Sequence, residues 1–581
     1  MEKEGHHPNI ESVRHSLAHV LAMAVLKKFP KAKLGVGPVV ENGFYYDFKL
    51  TGPLSDEDLP ELEKEMRHII STRLDFKEEK ITLSGAKKLF KDQPFKLDLI
   101  KDFSKEKREL TAYHTGAFTD LCRGGHIENT SEINADAFKL DKTAGAYWKG
   151  AEKNEQLTRI YGLSFETKEK LERFLSIREE AVKRDHRKLG QELGLFVFSE
   201  LVGPGLPLYT PRGTAILQEI KNFSRSLRKE MGYEEVQTPN MNKGELFKTS
   251  GHYNKFKDDM FTVHSHFTKE EYFLKPMNCP QHTQIYSSEP RSYRDLPLKF
   301  SDFAMLYRDE KPGELSGLTR LRSFTQDDGH CFLREDQIKQ EFALVLGAIQ
   351  KTMKRYGLDY FIRLSLRDEK NKTAYLGTDA IWERSQSLLN ELLRENSIEC
   401  VVAEGEAAFY GPKMDLMIRD SLGRQWQLST IQLDFNMPIR FGLSYIDADG
   451  KKVAPAMIHS ALVGSPERFF GILIEHYVGD FPFWLSPIQI SILSVNERVI
   501  DYCRMIQAAL QKEGFRIRID DRNESIGKKI REAELSKAPY ALIVGDREAA
   551  ASTVSVRRRK KGDLGVITLE NLIKLLRGEA L

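Results

Sequence analysis

Ala304-Met305-Leu306-Tyr307-Arg308-Asp309-Glu310 and, after Pro312-Gly313, Arg320-Leu321-Arg322-Ser323-Phe324-Thr325-Gln326-Asp327-Asp328-Gly329-His330 are the stretch whose reading decides the fold. Residues 304–307 and 324–326 read as strands, and the Pro-Gly pair between them marks the connection that turns the chain back. An Arg and an acid end the first strand, and an Arg and an aromatic open the second, a pattern that suits a nucleotide. A guanidinium grips a phosphate bidentately and a phenyl face takes a purine. Arg308, Glu310, Arg320 and Phe324 are the candidates. Read alone, the same pattern also describes an exposed hairpin with ordinary surface charges.

Outward from this pair, the chain from Gly190 to about Leu485 keeps strands and helices in irregular succession. Val197-Phe198 and Trp426-Gln427-Leu428 are strand-like, and helices are expected over 214–230, 335–355 and 380–395. The absence of strict alternation favours an antiparallel α+β sheet over a doubly wound one. After Pro487 the alternation becomes regular: strand Ile488–Leu493, helix Arg498–Lys512, strand Arg516–Ile519, helix Gly527–Ser536, strand Tyr540–Val544, strand Val554–Val556 and a helix from Leu569. That is an α/β domain. Toward the N-terminus a helix spans 10–29, with Asn9 as its N-cap and Pro30 beyond its end. Gly43–Phe48 follows as a strand and Leu59–Arg73 as a helix, and the charged run Thr167–Lys188 reads as one connecting helix. The organisation expected is therefore 1–165, a linker helix 166–189, a central domain 190–485 and a C-terminal domain 486–581.

The 581 residues are 40% hydrophobic and 30% charged, the balance of a multidomain globular chain. With 88 Lys plus Arg against 85 Asp plus Glu, the net charge is +3, which excludes a polycation; any nucleic-acid surface must come from local clustering. Five cysteines argue against a disulfide framework and fit a reducing, cytoplasmic setting. Leu17–Leu26 imitates a signal-peptide core, but Glu2, Glu4 and Glu11 precede it and His19 interrupts it. No run approaches the roughly 18 apolar residues of a membrane span.

Two further constellations carry chemistry. His15-Ser16-Leu17-Ala18-His19 places two imidazoles on one helix face, and Cys122-Arg123-Gly124-Gly125-His126 repeats the spacing, so the four side chains make a plausible tetrahedral zinc set. Isolated histidines of this kind are also common as plain core or surface residues. Gly464-Ser465-Pro466-Glu467-Arg468-Phe469 opens an apolar helix at a Gly turn, where a helix N-terminus with Arg468 attracts phosphate.

Arg308-Asp309-Glu310 with Arg320…Phe324, and the Gly464…Glu467-Arg468 turn, resemble the second and third signature motifs of class II aminoacyl-tRNA synthetases. The first, a helix and a strand ending in Pro, is matched by 214–231 and Tyr233–Pro239. Lys275-Pro276-Met277-Asn278-Cys279-Pro280, Phe324–His330, Met457-Ile458-His459-Ser460, Phe409-Tyr410-Gly411-Pro412-Lys413 and Ile431-Gln432-Leu433-Asp434-Phe435 are similar to the threonyl-tRNA synthetase family. The resemblance covers nearly the whole chain. It implies an α+β multidomain protein: an antiparallel-sheet class II catalytic core, an N-terminal α+β editing domain and a C-terminal α/β anticodon-binding domain.

The same resemblance implies the chemistry: activation of L-threonine with ATP and Mg²⁺, transfer to tRNA(Thr), and hydrolysis of mischarged Ser-tRNA(Thr). It implies one Zn²⁺ per subunit on Cys279, His330 and His459, with Cys331 as a neighbour that competes for the role. Arg308 and Arg468 would neutralise phosphates, Glu310 contact adenine, Phe324 stack on it, and Arg320 and Gln432 complete the ATP site. Met277, Asp328, Tyr410 and Gln427 would hold threonine, with Gln326 beside Asp328. His15, His19, Cys122 and His126 match the editing site, which in this family is thought to work without metal; an equivalent quartet binds zinc in the alanyl relatives, and that reading stays open. Gly125 stands where the family usually has Pro. Glu548 and Arg557 match anticodon-reading positions, beside the basic cluster Arg557-Arg558-Arg559-Lys560-Lys561. A homodimer and no membrane partner are implied. Many bacterial members open with a small ubiquitin-like domain, and the resemblance leads to the expectation that this sequence, starting almost at the editing domain, is either a naturally short form or a truncated one.

Overall fold

The computed structural model describes residues 9–420 and 423–580; Glu2 and Glu4 lie outside them. The chain divides into two units, residues 1–179 and 180–581.

In the first unit Asn9 caps the helix Ile10–Lys28, its side chain accepting from the Glu11 N–H at 3.0 Å. Leu17, Val20 and Leu21 of that helix are buried against Phe44, Tyr46 and Phe48 of the strand Gly43–Lys49. This strand pairs antiparallel with Gln156–Ser164, which pairs with Phe138–Tyr147. A smaller antiparallel sheet, Phe76–Lys80, Thr111–Thr115 and Phe118–Leu121, is covered by the helices Leu83–Leu89 and Pro94–Lys105 through Ala86, Ile100, Ala112 and Leu121.

The second unit is built on an eight-stranded sheet in the order Glu234–Glu235, Leu298–Tyr307, Ser323–Leu333, Ala456–Ala461, Gln425–Asp434, Lys413–Arg419, Tyr360–Leu366, Cys400–Glu404. Only the two edge pairs are parallel; every pair between them is antiparallel. The antiparallel expectation holds. Helices Pro211–Glu230, Ile338–Tyr356, Asp379–Glu395 and Pro466–Tyr477 share one core with the sheet, as Ile220, Ile349, Leu389 and Phe469 beside Leu333, Leu416 and Ile458 illustrate. A separate five-stranded sheet closes the chain, with Ile490–Ser494 parallel to both Ile517–Asp520 and Tyr540–Val544, and Thr553–Arg558 and Gly562–Thr568 antiparallel beyond.

Three expectations need correction, and two elements had none. The run Thr167–Lys188 is not one helix: Lys168–Arg184 ends before Asp185, whose carboxylate accepts from the Arg187 N–H and starts a second helix, His186–Glu192. Local capping outcompetes continuous charge patterning here. The Cys122…His126 spacing is not helical; it lies just past the strand Phe118–Leu121, where Gly124 and Gly125 take φ of +94° and +83°. Proline is locked near a φ of about −65° and cannot adopt such a turn. Of Tyr233–Pro239 only Glu234–Glu235 is strand. Finally, the helix Asp546–Ala551 and the strand Gly562–Thr568 carry no strong sequence pattern and were not anticipated.

Candidate active sites

The strand period of two decides the first site. Phe324, Gln326, Asp328 and His330 alternate onto one face of Ser323–Leu333, and all four line one cavity of about 310 Å³. The intervening Asp327 points the other way, into the helix Pro211–Glu230, where it accepts from Ser224 and pairs with the buried Arg228. Neighbouring strands and loops bring in Met277, Cys279, Arg308, Glu310, Arg320, Tyr410, Gln427, Gln432, His459 and Arg468, so every candidate for ATP, threonine and zinc lines this cavity.

Its electrostatics favour an anion. Burial lowers the pKa of Arg308, and burial together with the Arg308 and Arg320 charges lowers that of Arg468. Arg308 and Arg468 disfavour each other's charge there, which an entering anion would relieve, whereas Arg320 is already paired with Glu310 and Glu314. Arg308 lies 5.1 Å from the Phe324 ring centre, Arg468 Nε donates to the Thr319 carbonyl at 2.9 Å, and Arg320 Nε donates to Glu310 at 2.9 Å. Glu310 is therefore tied to Arg320, a pairing absent from the sequence reading. Burial pushes the Asp328 carboxyl up to about 7, with Asp302 and Asp327 adding to the effect, so this group gains from a cation brought beside it.

Cys279, His330 and His459 offer three ligand atoms, all within 4.8 Å of one another. Register explains half of this, since His330 and His459 are paired residues on adjacent strands. Each histidine has one nitrogen engaged: His459 Nε2 contacts Asp434 at 2.9 Å, and His330 Nδ1 contacts His282 Nδ1 at 2.8 Å. His252 Nε2 lies 3.8 Å from Cys279 Sγ. A thiol and two imidazoles, each with one nitrogen already fixed, fit a zinc ion with one position left open. Cys331, the competitor, is buried in the hydrophobic core and faces away. Asp434, His282 and His252 escaped the sequence reading; Asp434 and His282 lie inside quoted or adjoining motifs but carry no spacing signal.

In the first unit His15, His19, Cys122 and His126 do converge. Cys122 Sγ is 3.2 Å from His15 Nε2 and 3.2 Å from His126 Nε2, and Ser16 Oγ bridges His126 Nδ1 and the Ile127 N–H. Burial lowers the pKa of all three histidines and raises the Cys122 thiol to about 11, so the cluster is neutral near pH 7. Behind it Asp120 is 3.6 Å from His19 Nε2 and is held by Tyr46 and Lys96, all buried. These three were missed. Lys96 had a signal, a lysine one turn before Ile100 on the buried stripe of its helix.

Comparison with known proteins follows this division. Residues 261–477 match the tRNA synthetase class II core domain (G, H, P, S and T), 489–579 the anticodon binding domain, and 110–161 the threonyl and alanyl tRNA synthetase second additional domain. The threonine–tRNA ligase of Gloeobacter violaceus is 47% identical over 98% of this chain and 92% of its own. The chain belongs to the threonyl-tRNA synthetase family. The threonine–tRNA ligase of Thermotoga maritima is 44% identical over 98% of this chain and 88% of its own. The solved RNA binding domain of the Cryptosporidium parvum threonyl-tRNA synthetase superposes with a TM-score of 0.65 at 37% identity, covering 68% of this chain and 98% of that one.

This synthetase is thus a threonine–tRNA ligase with a class II core, an anticodon-binding domain and an editing-related domain. Glu548 caps its own helix, accepting from the Gly545 N–H at 2.9 Å. Of the basic cluster, Arg558 pairs with Glu579, and Arg559 and Lys560 with Asp480, leaving less free charge than the sequence suggested. Arg557 is 4.0 Å from Glu534. Among the described residues no helix is long and apolar enough to cross a membrane.

Proposed function

We propose that the cavity adenylates threonine and that the first unit removes serine mistakenly attached to tRNA(Thr). The observation that carries the first half is the convergence of three arginines and the Cys279, His330, His459 trio on one hollow. Arg308 and Arg468 hold the ATP phosphates, with Mg²⁺ sharing their charge. Arg320, Glu310, Phe324 and Gln432 place the adenosine. Asp328, with Gln326, Gln427, Tyr410 and Met277, holds the amino acid by its ammonium, and the threonine carboxylate is brought in line with the α-phosphate between Arg308 and Arg468. Cys279, His330 and His459 would hold zinc, which would supply a Lewis-acid demand for the hydroxyl and amino groups. Valine leaves that demand unmet, which a polar site penalises by about 10⁴ or more.

Serine meets it. One missing methyl is worth only about 1–3 kcal/mol, so a second site must reject it. His15, His19, Cys122 and His126 do so, the neutral cluster orienting by hydrogen bonds the water that attacks the seryl ester. Glu548 and Arg557 read anticodon bases, and the working form is a cytoplasmic homodimer through the first signature motif. The domains are 1–165, 166–189, 190–485 and 486–581. Charging assays test this. The parent accumulates Thr-tRNA and no Ser-tRNA, and His126→Ala accumulates both; Ser-tRNA building up equally with parent and variant would contradict the editing role.

A further inference from the structure

Outside both sites a third trio, Asp185, His186 and Glu475, brings polar atoms within 4.8 Å of one another. Its chemistry is not that of a metal site, because both nitrogens of His186 are engaged. Nε2 accepts from the Leu318 backbone N–H at 2.9 Å, so the ring proton resides on Nδ1, which donates to Glu475 Oε1 at 2.7 Å. The second oxygen of Glu475 accepts from Arg424 at 2.9 Å. Asp185 is turned to Arg187. His186 is only 4% exposed, so water does not replace these bonds when they are lost.

What the ring holds is the connection between the two nucleotide strands. Leu318, Thr319 and Arg320 line the cavity. Gly317, at a φ of +48°, lies so close to the ring that a Cβ there would stand 2.1 Å from His186 Nε2. From the opposite side Gly471 of the helix Pro466–Tyr477 leaves room, since a Cβ on it would be 3.3 Å from Leu318 Cβ and 3.5 Å from His186 Cδ2. The next carbonyl, that of Thr319, accepts from Arg468 Nε at 2.9 Å. The contacts close a ring: Glu475 to His186, His186 to Leu318, Thr319 to Arg468, and Arg468 back to Glu475 along one helix.

We propose that His186 is a positioning residue for adenylation, clamping the Gly317–Thr319 backbone to the helix Pro466–Tyr477 so that Arg468 and Arg320 are set against the ATP phosphates. This rests on the reading of the cavity as the ATP site. The test is ATP–pyrophosphate exchange with separate titrations of ATP and threonine. His186→Ala is expected to lower kcat/KM for ATP about ten- to hundredfold, the scale of an ångström-level misplacement, while the KM for threonine stays unchanged. His186→Gln, whose amide both donates and accepts, recovers most of the loss. Gly317→Ala drives a methyl into the ring and gives the same ATP-selective loss, which keeps the test open should the alanine variant not fold. Equal losses for ATP and threonine, or a glutamine variant as impaired as the alanine one, would overturn the proposal. A folded parent without exchange would overturn the ATP reading itself, and this with it.

Discussion

Arg468 is half-buried, its charge disfavoured by desolvation and by Arg308, and it spends one N–H on the Thr319 carbonyl. Its remaining donors are free for an anion whose charge grows in the transition state. Arg468→Ala is therefore expected to cost about 10²–10³ in exchange rate, the scale of losing one preorganised donor. His282 acts one step further out, steering His330 by its Nδ1 contact. His282→Ala should weaken zinc binding about 10- to 100-fold, measured by competition with a chromogenic chelator; unchanged affinity would remove that role. In the first unit, His19 and His126 are held neutral by burial. The unfolded chain takes up protons near pH 6.5 that the folded unit refuses, so stability is lost as pH falls below about 6.5. Native-state hydrogen exchange of the helix Ile10–Lys28, corrected for intrinsic rates, should show weaker protection at pH 5.5 than at 7.5, and equal or stronger protection would contradict it. Arg308 stood out within its own motif, whereas Cys279 was singled out only through the family resemblance. His282, Asp120 and Lys96 were not, because their roles arise only where separate elements meet.

At the scale of elements, periodicity and capping were enough for most of the fold. The strand Tyr540–Val544 lies where its apolar run begins and ends, and Asn9 starts its helix as expected. What failed were short pieces whose conformation is set by tertiary contacts or by one capping side chain, as at Asp185 and in the helix Asp546–Ala551. The central strand Ser323–Leu333 shows why such detail matters. Gly329, between Asp328 and His330, leaves space for Arg228, and a Cβ there would come 2.0 Å from Arg228 Nη1. Arg228 also donates to Ser460 at 2.6 Å and pairs with Asp327 at 3.2 Å, both buried. Gly329→Ala should destabilise the second unit by about 1–3 kcal/mol through overpacking, visible as a lower thermal midpoint. An unchanged midpoint would mean that Arg228 moves freely.

Over the whole molecule, the two candidate sites belong to different units, and the proposal gives one the selection of a hydroxyl and the other the removal of what lacks a methyl. Their variants should be separable: His126→Ala leaves threonine exchange untouched, and combining it with Arg468→Ala gives the product of the single effects on each activity. A near-neutral chain gave no hint of this division, and the family motifs supplied it. Selection of threonine by one cavity through a hydroxyl-demanding metal centre is the proposal on which the others depend. Pyrophosphate exchange with threonine, serine and valine, before and after zinc chelation, tests it most directly. Expected are exchange with threonine, weaker exchange with serine, none with valine, and loss of all activity on chelation with recovery on added zinc. Exchange with valine, or threonine exchange that survives complete removal of zinc, would contradict it.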